Sequence, residues 1–283
     1  MTQPISPEAA GRLAALRAEI DRIDAAMHAL LIERSEIIDE LIAVKRTGES
    51  GSAFRPGREA AMMRAIASRH RGSLPLDTAE GIWRVIIATF TWLQAPFSVH
   101  ADISSGDGPM RDSARFHFGF TVPYVPHGSA ADVIAAVGRS AGDLGIFRAD
   151  SGRASIPWWE ALTAADAPKI IARLPFIERH DHPASTPVFV VSRPLADAAV
   201  RETVLYAARV ERWRDDTAAA IAAAGAELVA SAATSRGLSA LVAAPGELAA
   251  QQLREALPPL SGADGLVEVG SHANRFRIGP AQG

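Results

Sequence analysis

From Arg12 to about Arg46 the chain runs through about 35 residues without a proline or glycine, and Leu13, Leu16, Ile20, Ile23, Met27, Leu30, Leu31, Ile37, Ile38, Leu41 and Val44 recur at helical spacing. A single helix of that length spans about 50 Å, far more than a domain of about 100 residues is wide. Its apolar stripe must therefore find cover outside the globule of its own chain. Two further helices are predicted. Thr47 to Phe54 reads as a turn, and Pro56 suits the first turn of a helix running to about His70. A third helix runs from about Leu76 to Leu93 or Gln94 and ends before Pro96.

Three cations lie on the first helix's apolar stripe: Arg17 four after Leu13, Arg34 four after Leu30, and Lys45 four after Leu41. A cation facing a core costs several kcal/mol unless it meets an anion or stays wet. Arg34 and Lys45, eleven residues apart, lie about 20° from one face and about 16 Å along the axis, so both long side chains can reach one ligand. Arg17 sits about 25 Å beyond Arg34 on another face and can serve such a site only from a second, antiparallel copy of the chain. On the second helix Glu59 precedes Met62, Met63 and Ile66 and points inward beside Arg58. On the third, Trp83, Ile87, Phe90 and Gln94 form one stripe with Gln94 at its buried end. Several cations, one carboxylate and one amide donor inside a helical bundle suit a small dianion bearing a hydroxyl. Each residue alone has a plainer reading, with stems buried and charges wet, or Glu59 paired with Arg55 or Arg58 on the surface. Their joint occurrence on three successive helices argues for the site.

After Pro96, Ser98 to Asp112 has the polar, glycine-containing look of a linker, which places a boundary near residue 100. Beyond it strand-like and Ala-rich helical runs alternate: a strand at Phe116 to Val122, a helix at Ala130 to Ser140, a strand at Asp143 to Phe147, a helix around Trp158 to Ala164, and strands at Lys169 to Ile177 and Pro187 to Val191. The tail reads βαββαβ, the split ferredoxin-like order, over Glu202–Val210, Asp215–Ala224, Glu227–Ser231, Leu238–Ala243, Gly246–Leu257 and Gly265–Ile278. The fold class expected is multidomain, an all-α N-terminal domain followed by an α/β or α+β region, divided as 1–100, 101–200 and 201–283.

Composition narrows the chemistry. With no cysteine the chain has no disulfide, thiolate metal site or cysteine nucleophile, which suits a cytoplasmic setting. A net charge of −3 gives no general reason to expect nucleic acid or an anionic membrane as partner. No segment approaches about 18 consecutive apolar residues, and Met1 to Glu19 lacks the pattern of a secretory leader. The run Glu178-Arg179-His180-Asp181-His182 reads as a solvated charged loop and not as a metal site. Ser271, His272 and Asp264 lack the Gly-x-Ser-x-Gly turn of a hydrolase, Trp158 and Trp159 read as core packing, and phosphate-loop and dinucleotide fingerprints are absent.

The stretch LAALRAEIDRIDAAMHALLIERSEIIDELIAVKR, then PGRE, then a helix ending in WLQ, resembles the all-helical chorismate mutases over about residues 12 to 95. The resemblance implies a three-helix, intertwined homodimer that converts chorismate to prephenate without cofactor or metal. It implies that Arg17 from the partner, Arg34 and Arg58 bind the two substrate carboxylates. Lys45 and Gln94 would donate to the ether oxygen, and Glu59 would take the ring hydroxyl. Two positions depart from the family pattern: Arg55 stands where a carboxylate is expected, and Phe90 where a small polar residue often sits. Isochorismate pyruvate-lyase on the same fold is the nearest alternative activity. A non-catalytic helical dimerisation module carrying a small-molecule sensor is the alternative that Arg55 and Phe90 favour.

The second half resembles prephenate dehydratase only faintly. Gly142 to Phe147 is similar to one strand of that fold, but Pro187 and Val188 replace the arginine and phenylalanine of an expected Thr-Arg-Phe triplet. The expectation is a shortened, inactive dehydratase-like region over 101–200 and a regulatory, ACT-like module over 201–283 that takes an aromatic amino acid.

Overall fold

The computed structural model describes residues 6–45, 53–149, 152–153, 156–194, 200–211, 216–235, 237–257, 260 and 265–278. The chain divides into two compact units, Met1–Ser50 and Gly51–Gly283.

Among the described residues the first unit holds one helix, α1 (Pro7–Lys45), of 39 residues. It begins five residues before the expected start because Ser6 caps it: the Ala9 N–H donates to the Ser6 hydroxyl at 3.2 Å, and Pro7 takes the first helical position. Gly11 costs the helix about 1 kcal/mol and does not end it.

The second unit runs α2 (Pro56–Arg69), α3 (Leu76–Gln94), β1 (Val99–Asp102), α4 (Asp107–Phe118), β2 (Tyr124–His127), α5 (Ala130–Arg139), β3 (Leu144–Arg148), β4 (Gly152–Arg153), a 3-10 helix (Trp158–Leu162), β5 (Lys169–Leu174), β6 (Ile177–Glu178) and β7 (Val188–Ser192). It continues through β8 (Thr203–Val210), α6 (Thr217–Ala223), β9 (Glu227–Thr234), β10 (Gly237–Pro245), α7 (Ala250–Ala256), β11 (Leu266–His272) and β12 (Phe276–Arg277). The chain is therefore multidomain in the expected sense, long helices followed by a mixed α/β region. The compact division, however, falls at residue 50 and not near 100. Its cause is packing: Met63 and Ile66 of α2 and Ile87 and Ala88 of α3 share one core cluster with Val99, Ile146, Leu174 and Val188 of the sheet.

One sheet of ten strands, ordered β2-β1-β3-β7-β5-β11-β8-β10-β9-β4, carries the second unit. The tail's four strands stand as β11-β8-β10-β9 with every neighbour antiparallel, the arrangement its βαββαβ order requires. That half joins the other through a parallel contact of β11 with β5, at Gly270 opposite Ile170. Gly270 is needed there. Its φ is +146°, and a Cβ would stand 2.1 Å from the Ile170 carbonyl oxygen.

Two expectations fail between residues 98 and 122. The supposed linker holds β1 and the start of α4, and the supposed strand at Phe116 to Val122 begins inside α4. The period explains the second error. Phe116, Phe118 and Phe120 alternate as in a strand, yet Met110, Ser113, Ala114, His117 and Phe118 bury one helical face while Phe120 stands 84% exposed. Trp158 and Trp159 are core as expected: Trp158 stacks on Phe147 at 4.3 Å, and the Trp159 indole N–H donates to the Ser239 hydroxyl at 2.9 Å.

Candidate active site

The cations expected to hold an anionic ligand lie on both units. On α1, Arg17 is exposed and Arg34 half-buried, while the side chain of Lys45, the last helical residue, lies outside the described residues. Leu13, Leu16, Ile20, Ile23, Met27, Leu30, Arg34, Ile37, Leu41 and Val44 alternate at three and four residues, a heptad seam with Arg34 inside it. Most of that seam is bare in a single chain, with Leu16 at 54% and Leu30 at 63% exposure.

On α2, Pro56, Glu59, Ala60, Met63 and Ile66 form the buried face, which fixes where each polar neighbour points. Arg58 is exposed. Arg55, just before the helix, is half-buried and donates from Nη1 to the Phe54 carbonyl at 3.1 Å. Glu59 points inward as expected, but its carboxylate meets another residue of the chain. Arg84 Nη1 donates to Glu59 Oε2 at 2.7 Å, and both side chains are almost wholly buried. The same guanidinium donates from Nε and Nη2 to the His117 carbonyl at 3.1 and 2.8 Å and lies over the Phe176 ring. Burial holds the Glu59 pKa above the usual carboxylate range, and the Arg84 charge and hydrogen bond oppose that rise.

On α3 the buried face is turned from the one expected. Glu80, Arg84, Ile87, Ala88 and Thr91 are buried, whereas Trp83, Phe90 and Gln94 are half-buried. Gln94 is thus not at the end of the buried stripe, and its Nε2 donates to the Phe90 carbonyl at 2.9 Å. Arg55, Arg58 and Glu59 share the start of α2, and Phe90 and Gln94 share the end of α3.

Sequence reasoning missed the buried polar set on the inner face of α3. His182, expected in a solvated loop, is buried and its Nε2 lies 3.2 Å from Glu80 Oε2, while Arg179 Nη1 donates to Asp77 Oδ1 at 3.0 Å. Of that loop only His180 and Asp181 are exposed. His117 packs beside His182 with ring centroids 6.0 Å apart, and burial pushes its pKa well below the usual imidazole range. One signal was available. Glu80 and Arg84 stand four apart in a helix otherwise dominated by apolar residues, the spacing of two charges on one face.

Among the described residues no helix is long and apolar enough to cross a membrane. Comparison with known proteins gives three findings. A curated bifunctional chorismate mutase/prephenate dehydratase of Pseudomonas aeruginosa is 27% identical over 139 residues, which take in 48% of this chain and 38% of that protein. The chain thus matches well under half the length of that relative. A solved prephenate dehydratase in complex with L-Phe from Arthrobacter aurescens aligns with a TM-score of 0.40 and 12% identity, over 62% of this chain and 90% of that one. The family model for chorismate mutase type II matches residues 16–95, so the segment holding most of α1 and all of α2 and α3 is similar to that family.

Proposed function

We propose that the chain is a chorismate mutase, an isomerase that converts chorismate to prephenate in aromatic amino-acid synthesis. The observation that carries the reading is the match of residues 16–95 to chorismate mutase type II, a segment that takes in most of α1 and all of α2 and α3. The reaction is an intramolecular rearrangement in which a C–O ether bond breaks as a C–C bond forms. The protein has to hold the chair-like conformer and stabilise negative charge growing on the ether oxygen. Arg34, Arg58 and a second copy's Arg17 clamp the two carboxylates, and Lys45 and Gln94 donate to the oxygen. The bare heptad seam of α1 supports an antiparallel homodimer, because a stripe of that length needs a second chain to cover it. The functional segments are a mutase region over 1–100, a shortened dehydratase-like region over 101–200 and a regulatory region over 201–283 that takes an aromatic amino acid as effector.

Glu59 favours a second reading. With its carboxylate on Arg84, the group assigned to the ring hydroxyl is already paired, as suits a non-catalytic dimerisation module with a sensor domain. The absorbance of chorismate decides between them. Turnover in the parent with a loss of about 100-fold or more in Lys45→Ala, the dimer persisting, is the result expected of a mutase. No loss of chorismate sinks the first reading, and phenylpyruvate formed from added prephenate shows a working dehydratase region.

A further inference from the structure

Where β5 meets β11 there is a cavity of about 180 Å³ among nine residues, of which only Ala243 is apolar. Its charges are unevenly matched. Glu178 is shared by two cations, accepting from Arg275 Nη2 at 2.7 Å and from Arg277 Nε at 2.8 Å. Arg173, from β5, has no ion pair among the described residues; its guanidinium lies over the Phe189 ring at 5.5 Å, and its Nε is buried with no hydrogen-bond partner. Arg173 and Arg275 each disfavour a positive charge on His272, which Glu202 favours, and Arg173 disfavours the charge on Arg275, which Glu178 and Glu227 favour. An anion between them relieves that repulsion.

His272, on the same wall, supplies the opposite polarity. It is 4% exposed, and its Nδ1–H donates to the Ala273 carbonyl at 2.9 Å, which leaves Nε2 as a buried lone pair without a partner among the described residues. Burial, against that hydrogen bond, holds its pKa at about 4, so the ring is neutral near pH 7 and Nε2 accepts. The Thr203 hydroxyl donates to Asn274 Oδ1 at 2.6 Å, leaving the Asn274 amide N–H groups as donors.

We infer that this cavity binds a small polar carboxylate with an adjacent hydrogen-bond donor, an α-hydroxy or α-amino acid, its carboxylate on Arg173 and Asn274 and its donor on His272 Nε2. A bare inorganic anion would set an oxygen against the His272 lone pair and the Glu227 carboxylate. An aromatic acid would leave its ring among charged walls, so this is not the aromatic effector site proposed above. The inference does not rest on mutase activity.

Calorimetric titration of the full chain with L-lactate, L-serine, acetate and L-phenylalanine tests it. Lactate or serine binds saturably, acetate and phenylalanine bind at least about tenfold more weakly, and Arg173→Gln lowers the affinity for the first two by at least about tenfold. Should Arg173→Gln fail to melt cooperatively, the unmodified protein decides: lactate must move the nitrogen resonance of His272 Nε2, and acetate must not. Absence of saturable binding by both lactate and serine overturns the inference. So do acetate or phenylalanine binding as tightly as lactate, full affinity in a folded Arg173→Gln protein, or a His272 signal that lactate leaves in place. Because the readout is binding, failure here is separate from failure of chorismate turnover.

Discussion

Replacing Arg84 by methionine tests whether the buried ion pair beneath α2 holds the helices on the sheet. The arginine makes three charge-assisted hydrogen bonds, one to Glu59 and two to the His117 carbonyl, with 1% of its surface exposed. Methionine fills much of the volume and supplies no donor. The substitution leaves a carboxylate, already pushed toward protonation by burial, without its cation, and a buried carbonyl without its two donors. Breaking a buried pair from one side typically costs about 3–5 kcal/mol, about a fifth or more of the stability of an ordinary domain. Equilibrium urea unfolding reads this as a lower midpoint at unchanged slope.

The double variant Glu59→Met with Arg84→Met separates pairing from packing. With both charges gone the main loss is the unpaired His117 carbonyl, about 1–3 kcal/mol. The double change is therefore expected to cost less than Arg84→Met alone, a coupling of about 2 kcal/mol or more. An Arg84→Met protein within about 1 kcal/mol of the parent, or a double variant as costly as both single changes together, would refute the argument.

Three further outcomes are expected. His272 has its pKa lowered from 6.5 to about 4, so the unfolded chain takes up a proton that the folded one refuses; this stability is fully present above pH 6.5 and lost as pH falls to about 4, about 3 kcal/mol in all, and urea midpoints of His272→Gln across that window should fall less steeply than the parent's. Leu30→Glu puts a charge into the bare seam of α1 and should convert a dimer to a monomer in sedimentation velocity, whereas an unchanged mass would show that the seam is not the contact. Gly145→Ala would bring a Cβ within 2.8 Å of Val133 and Val191 side-chain atoms, and should lower stability by about 1–3 kcal/mol in the same urea assay.

What could be read from the sequence was local. The second helix begins at Pro56 and the third stops at Gln94 as expected, because a first-turn proline and a break at Pro96 are written in neighbouring residues. The βαββαβ order of the tail is likewise set by periods of two and 3.6 within each segment. Partners far apart in sequence could not be read. Glu59 and Arg84 stand 25 residues apart, and His182 and Glu80 stand 102 apart. Nothing in the polar loop around His182 shows that α3 offers it a buried carboxylate. The face of α3 was misjudged for a related reason: Trp83 and Phe90 make the more apolar stripe, but the chain buries the stripe on which Glu80 and Arg84 find partners.

The same strand serves both the helices and the cavity. Along β5 exposure alternates, with Ala172 and Leu174 buried in the cluster that holds Met63 of α2 and Ile87 of α3, and Arg173 turned to the other face and lining the cavity. Adjacent residues of one strand cannot shift independently in an interior packed to crystal density. A carboxylate that draws Arg173 toward His272 therefore acts on Leu174, and through it on the packing beneath α2 and α3. If that displacement favours one arrangement of the helices, the coupling is reciprocal: a ligand held on α2 or α3 must change lactate affinity by the same factor as lactate changes its own. Titrating lactate with and without saturating chorismate analogue measures that factor directly, and a ratio of one would mean that β5 yields without moving the helical core.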